Sequence, residues 1–174
     1  MTDHVILVDQ DDKVTGTMEK MEAHRKGELH RAFSVFIFNS NGELLIQQRA
    51  LDKYHSAGKW SNTCCSHPYV GEETIKGANR RLKEEMGMDC KLDFGFSFIY
   101  QALLQGGLSE NEFDHVYFGT TDLVPVLNSS EVADFRYISL NDLELEIKAD
   151  PDQYTVWLKI CFDQVMQYHT KIFK

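Results

Sequence analysis

The sequence predicts a single domain of the α/β class, more closely α+β, in which helices pack on a mixed β-sheet. Three observations lead there. The chain is 174 residues long, the length of one compact domain that buries roughly two-thirds of its unfolded surface. Two apolar runs flank Asn39-Ser40-Asn41-Gly42, and an Asn-Gly turn between such runs marks a hairpin. Helical and extended segments follow one another without strict alternation, which disfavours a doubly wound parallel sheet. No repeat, low-complexity tract or linker divides the chain 1–174.

Val5 to Val8 reads as a short strand followed by a turn through Asp9 to Lys13. Glu19 to Lys26 has helical composition and stops at Gly27, a residue that suits a helix C-terminus. Ala32 to Phe38 and Glu43 to Gln48 form the hairpin. Ala50 to Tyr69 is polar, aromatic and irregular, and reads as a long loop. Glu73 to Met86 is a helix ending at Gly87. Leu92 to Leu104 and Phe113 to Leu123 are strands around a Gly-Gly turn, with Glu110 opening the second. Phe135 to Ile138 adds a short strand, Leu140 to Ile147 a short helix, and Asp152 to Phe173 a long closing helix.

Composition excludes several function classes. The formal net charge is -9, with 18 Lys and Arg against 27 Asp and Glu. No basic run offsets it, which argues against a nucleic-acid partner. Local cations can still bind an anionic substrate, because the field in a cleft is set locally. No apolar stretch approaches the ~18 residues of a membrane helix, and the start lacks the basic and apolar regions of a signal peptide. The expectation is a cytoplasmic protein. The 4 cysteines, at 64, 65, 90 and 161, are too few and too irregular for a disulfide framework.

The segment Trp60-Ser-Asn-Thr-Cys-Cys-Ser-His-Pro68 gathers an indole, two thiols and an imidazole in a predicted loop, where catalytic groups often sit. A buried aromatic-cysteine plug would account for a lone thiol, but His67 brings a base or metal ligand close to Cys65. Cys64 should point away from its neighbour and pack. His24 and His30, with Glu28 between them, are candidates to join His67 in a metal shell, although their spacing meets no metal-binding rule. Glu110 and Glu112 are two apart on a strand and face the same way. Carboxylates so placed repel unless a cation neutralises them or one is protonated. Solvated acids would explain them equally well. In the helix before Gly87, Arg80 with Glu84 and Arg81 with Glu85 can form i,i+4 pairs on a solvent face. Alternatively Glu85 binds Mg²⁺, and Arg81 joins Arg49 and Lys53 in gripping phosphate oxygens.

Taken together, Trp60 to Pro68, Glu110-Asn111-Glu112 and the spaced histidines resemble the type I isopentenyl-diphosphate isomerases. That family belongs to the Nudix-like superfamily of αβα sandwiches, and the similarity runs from about Val5 to Tyr168. The resemblance implies a divalent ion (Mn²⁺, Mg²⁺ or Zn²⁺) held by His24, His30, His67, Glu110 and Glu112. It also implies a Mg²⁺ bridging Glu85 and a substrate diphosphate, with help from the backbone carbonyl of Cys65. Lys20, Arg49, Lys53 and Arg81 fall at positions of phosphate-contacting cations, while Tyr100 and Trp157 match active-site aromatics. The implied partner is a small allylic or homoallylic diphosphate, bound by a monomer. Cys65 and the Glu112/Tyr100 pair become the proton carriers. Glu112 with Tyr100 is the acid toward isopentenyl diphosphate and Cys65 the base, its thiol acidified by Mg²⁺ and His67.

Two other readings compete. Glu72, Arg80, Leu82, Glu84, Glu85 and Gly87 match the Nudix hydrolase box, so a Nudix-type pyrophosphohydrolase is the alternative enzyme. Ser66 replaces that box's first glycine and Arg81 its central acid, which removes a metal ligand and favours isomerisation. A non-catalytic metal-binding module is the third reading.

Overall fold

The computed structural model describes residues 3–173. In chain order the strands and helices are β1 (His4–Val8), β2 (Val14–Glu19), α1 (Lys20–Lys26), β3 (His30–Phe38), β4 (Leu44–Arg49), β5 (Trp60–Ser61), β6 (Cys64–Ser66), α2 (Thr74–Met86), β7 (Asp93–Leu103), β8 (Ser109–Thr120), β9 (Val132–Ile138), α3 (Leu140–Ala149) and α4 (Val156–Ile172). The strands form one 9-stranded sheet. All pairings are antiparallel except β3 with β8, so the sheet is mixed. Among the described residues no helix is long and apolar enough to cross a membrane.

Three strands depart from the sequence reading. The turn at Asp9 to Lys13 is closed by the Asp9 carboxylate, which accepts from the backbone of Asp11 and Lys13, and it leads into β2, an unforeseen strand. The segment read as a loop from Ala50 to Tyr69 contains β5 and β6. Strands this short carry no alternation to read, and β6 exists because β3 offers it an edge.

β3 is the hub. Along it Phe33, Val35 and Ile37 turn to one side and pack with Leu82 and Met86 of α2. Phe36 and Phe38 turn to the other and pack with Val116 and Phe118 of β8 and with Leu158, Phe162 and Val165 of α4. The period of two in β3 thus splits the core into two layers, one under α2 and one under α3 and α4. Helices on both faces of a mixed sheet make the αβα sandwich.

The face bearing Phe36 and Phe38 changes character toward the start of β3, where it carries Ser34 and His30. The same happens in β8, where Val116 and Phe118 give way to Asp114, Glu112 and Glu110. Because the strands are parallel with His30 opposite Glu112 and Ala32 opposite Asp114, their polar ends coincide. The site therefore lies on the α4 side, where that core stops.

α1 is capped by Glu19, whose carboxylate accepts from Met21 and Glu22, and ends at Gly27 in the left-handed conformation with φ 67. The cap fixes where His24 emerges. At the other end of the sheet, β7 bulges between Phe94 and Phe96. Gly95 occupies the bulge, where a Cβ would lie 2.3 Å from the Phe118 ring. That ring is stacked on Tyr168 at 3.8 Å and cannot retreat freely. Gly95→Ala is expected to destabilise the fold by about 1–3 kcal/mol through overpacking. The urea midpoint should fall with an unchanged m-value.

Candidate active site

Four segments meet at the polar end of β3 and β8. α1 supplies His24, β3 supplies His30 and Ser34, β6 and the residue after it supply Cys65 and His67, and β8 supplies Glu110, Glu112 and Asp114. Pairing of β6 with β3 sets Cys65 opposite Ser34 and Cys64 opposite Val35. Cys64 consequently lies in the α2 core, fully buried, while Cys65 lines the pocket. Adjacent thiols are separated by the pleat alone.

The imidazoles are aimed by main-chain carbonyls. Nδ1 of His24 donates to the Lys20 carbonyl at 2.7 Å and Nδ1 of His30 to that of Glu28 at 2.8 Å. A carbonyl only accepts, so each ring presents a bare Nε2 to the site. Nε2 of His67 sits 3.2 Å from Nε2 of His30 and 3.0 Å from Oε1 of Glu112. Nε2 of His24 faces Oε2 of Glu110 at 3.1 Å, and both of these buried atoms lack a hydrogen-bond partner. Two lone-pair atoms facing each other out of water need a proton or a metal ion between them.

Carboxylates crowd the same space. Burial and the neighbouring charge of Glu112 hold Glu110 well above the usual carboxylate range. Burial and Glu112 do the same to Asp114, whose Oδ2 accepts from Ser34 at 2.7 Å. Glu112 moves the other way: burial opposes its charge, but His30 and His67 overcome it and keep the group ionised. Tyr100, opposite Glu112 on β7, donates its phenol to Oε2 at 2.6 Å. Burial pushes that phenol well above its usual value, so it keeps its proton.

The donor set suits a divalent ion. His24, His30, His67 and Glu112 each place a ligand atom within 4.8 Å of the others, and so do His24, His55 and Glu110. Buried imidazoles with their second nitrogens already fixed, beside buried acids, provide the nitrogen and oxygen donors that transition-metal ions take.

The pocket's cationic end is built from Lys20, Arg49, Lys53 and Arg81, with Glu85 and Glu131 among them. Arg81 pairs with Glu85 at 2.5 Å and Glu131 at 3.3 Å, and Lys53 also pairs with Glu131. Buried Glu85 accepts in addition from Gln47 at 3.0 Å. Arg80 behaves differently from Arg81. Glu72 holds it through two contacts of 2.9 Å, and its guanidinium lies 3.7 Å from the centre of the Tyr69 ring, so it ties the loop before α2 to the helix.

Trp157 closes the pocket from α4. Its Nε1 donates to Ser61 at 3.0 Å and Asn62 at 3.2 Å, and Arg49 lies 5.4 Å from its ring centre. The register shift of β4 at Gln48 and Arg49 accompanies that placement.

The structure brings Lys20, Arg49, Lys53, Cys65, His67, Arg81, Glu85, Tyr100, Glu110, Glu112 and Trp157 to the lining of one pocket, with His24 and His30 buried in its wall, whereas Cys64 and Arg80 lie outside it. One expectation fails: His67 does not acidify Cys65. Burial holds His67 neutral, its pKa lowered to about 3. Burial also raises the Cys65 thiol to about 12, with Arg49 pulling against it. The sequence reading missed His55, which is 5% exposed and contacts Glu110, and Asp114. A lone histidine in a loop carries no spacing signal, although Asp114 continues the every-second-residue acid pattern of Glu110 and Glu112.

Comparisons place this geometry among known proteins. The model of the NUDIX domain matches residues 28–158. The fold is similar to a crystal structure from Deinococcus radiodurans, with TM-score 0.72 and 20% identity over 85% of this chain and 90% of that one. A MutT protein of Methanosarcina mazei gives TM-score 0.66 and 17% identity, covering 80% and 94%. These likenesses define a Nudix fold. Curated relatives narrow it. The isopentenyl-diphosphate Delta-isomerase of Pectobacterium atrosepticum is 53% identical over 94% of this chain and 92% of its own. That of Aliivibrio fischeri strain MJ11 is 46% identical over 97% of each. The chain belongs to the isopentenyl-diphosphate Delta-isomerase family of Nudix-domain proteins.

Metal binding should be proton-linked. Burial and the Glu112 charge favour the protonated form of Glu110, and a metal ion taking its oxygen would displace that proton. Affinity for Mn²⁺ or Zn²⁺ is expected to rise with pH, by up to about tenfold per unit for each proton displaced. Calorimetry in buffers of different ionisation enthalpy measures the released proton directly.

Proposed function

We propose that the chain interconverts isopentenyl and dimethylallyl diphosphate, with Cys65 and the Glu112–Tyr100 pair as the proton carriers. One observation supports this above others: two proton-bearing groups, an indole and a cluster of cationic side chains line a single pocket. A hydrolase needs a base aimed at water and acids around its metal. Here Arg81 stands on α2 where the Nudix box has its central acid.

The reaction adds a proton to the terminal alkene carbon and removes one from C2, so the composition of the substrate is unchanged. In the forward direction Glu112 with Tyr100 delivers the first proton and Cys65 accepts the second, and the roles exchange in reverse. Between the two transfers the tertiary carbon is electron-poor. The Trp157 face stabilises it by about 2 kcal/mol or more once water is excluded. Exclusion matters twice, because water would also trap the cation as an alcohol. Trp157 is 4% exposed and Tyr100 5%, in keeping with a dry reacting end. Lys20, Arg49, Lys53 and Arg81 hold the diphosphate, and Ser34 sits on the floor beneath Cys65.

His24, His30, His67, Glu110 and Glu112 would hold one divalent ion, and Glu85 with the carbonyl of Cys65 would hold Mg²⁺ with the diphosphate. When bound, these ions supply positive charge that offsets the buried acids and the substrate phosphates and favours the Cys65 thiolate. Without such charge, burial keeps Cys65 a thiol, so the forward assignment depends on that field.

Isopentenyl diphosphate with Mg²⁺ in D₂O should give dimethylallyl diphosphate carrying deuterium in a methyl group, read by NMR. Release of inorganic phosphate or pyrophosphate instead of an allylic product would overturn the proposal in favour of hydrolysis. Cys65→Ala and Glu112→Gln should each lower kcat by about 10²–10⁴ or more, with circular dichroism unchanged. Arg81→Ala should act mainly on KM. An unaltered KM would reduce Arg81 to a partner of Glu84 and Glu85.

A further inference from the structure

His55 belongs to none of the motifs, yet its side chain is buried. It sits in the connection between β4 and β5, beyond the end of β4 at Arg49. Tyr54 meets its ring edge-on with centroids 4.5 Å apart, and Trp157 does so at 6.0 Å. His24 stacks on it at 6.2 Å. Rings on three sides leave the imidazole little freedom to turn.

Its nitrogens have defined neighbours. Nδ1 lies 3.3 Å from the Ser56 hydroxyl, and Nε2 lies 3.4 Å from Oε1 of Glu110. A hydroxyl can donate to Nδ1, and Glu110 in the ionised form that ligates an ion can only accept. The tautomer that suits both neighbours carries its proton on Nε2 and turns that N–H toward Oε1 of Glu110. The other oxygen of Glu110 is the one that faces Nε2 of His24 at 3.1 Å. One carboxylate thus reaches outward to His55 and inward to the metal shell.

His55 itself stands apart from that shell. It groups with His24 and Glu110, whereas His24 also groups with His30, His67 and Glu112. Nε2 of His24 can ligate a single ion, since Nδ1 is already engaged by the Lys20 carbonyl. An ion held with His30, His67 and Glu112 takes that nitrogen and leaves His55 in contact with the site through Glu110.

We infer that His55 is a positioning residue of the metal centre, holding the outer oxygen of Glu110 so that the inner one is presented to the ion. This rests on the reading of the His/Glu cluster as a metal site. A hydrogen bond behind a ligating carboxylate fixes its rotamer before the ion arrives, and losing such a partner costs roughly 10–100-fold in metal affinity.

The test is a competition titration of Mn²⁺ or Zn²⁺ against a chromophoric chelator, with the wild type, His55→Leu and His55→Gln. Leucine keeps apolar packing against Tyr54 and Trp157 but has no donor, whereas the glutamine amide places an N–H near the position of Nε2. The expected result is a loss of roughly 10–100-fold for His55→Leu and near-wild-type affinity for His55→Gln. X-ray absorption of the Co²⁺ forms should show the same number of imidazole ligands in all three proteins. His55→Leu binding as tightly as wild type would overturn the inference. So would equal losses in both variants, or an imidazole missing from the Co²⁺ shell, which would make His55 a ligand. Thermal unfolding in chelator separates a folding defect from a binding one, and His55→Gln decides the matter if His55→Leu does not fold. A wild type that binds no ion overturns the metal-site reading as well, while normal wild-type binding with an unaffected His55→Leu overturns the positioning role alone.

Discussion

The parallel pairing of β3 with β8 is the constraint on which the molecule depends. Its register runs unbroken from His30 opposite Glu112 to Phe38 opposite Thr120. In adjacent strands with a side-chain period of two, this aligns polar ends with polar ends and apolar ends with apolar ends. One face is therefore a site for the first few residues and a core for the rest. A slip of one residue would turn the acids of β8, together with Val116 and Phe118, onto the α2 face and put Phe113, His115 and Tyr117 in their place, so the hydrophobic pattern that stabilises the sandwich also fixes the site.

Crowding three acids and three imidazoles at that junction has an electrostatic consequence. Removing a charge from water is costly unless it is paired, and the protein meets the cost unequally. His30 and His67 draw Glu112 toward its ionised form, while burial and the Glu112 charge push Glu110 and Asp114 toward their protonated forms. A divalent ion would settle the same imbalance and draw Glu110 into the charged state. The cationic end of the pocket is pre-engaged in a comparable way: Lys53, Arg81 and Glu131 form a linked set, and an arriving diphosphate would compete with Glu131 for its partners. Stability and binding are thus coupled at both ends of the pocket.

Burial also shapes the proposed proton transfers. Cys65 and Tyr100 both stay protonated in the metal-free protein because a thiolate or phenolate would be desolvated there. The dry surroundings that protect a carbocation are the same surroundings that resist ionising the thiol. Positive charge near Cys65 must therefore come from a source other than His67, which burial keeps neutral. That feature could not be read from the proximity of a histidine to a cysteine in the sequence.

Much of the fold was legible. The Asn-Gly hairpin, the helices ending at Gly27 and Gly87, and the long closing helix follow from turn chemistry and periodicity, which are local. The motif around Cys65 and the pair Glu110 and Glu112 were legible as types and spacings, and the family resemblance gave them a shared purpose. β5 and β6 were not legible, because a strand of two or three residues exists only through its neighbour's hydrogen bonds, and β2 was not because Val14 to Glu19 pairs with β1 without burying an apolar face. Likewise the sequence by itself determined which side chains are candidates for chemistry and, through strand parity and helix caps, which way they face. Only the tertiary structure decided which of them meet and in what protonation state. The pairing of β3 and β8 crosses some 80 positions of chain, and the burial that leaves His67 neutral, Cys65 a thiol and His55 against Glu110 is a property of packed surroundings.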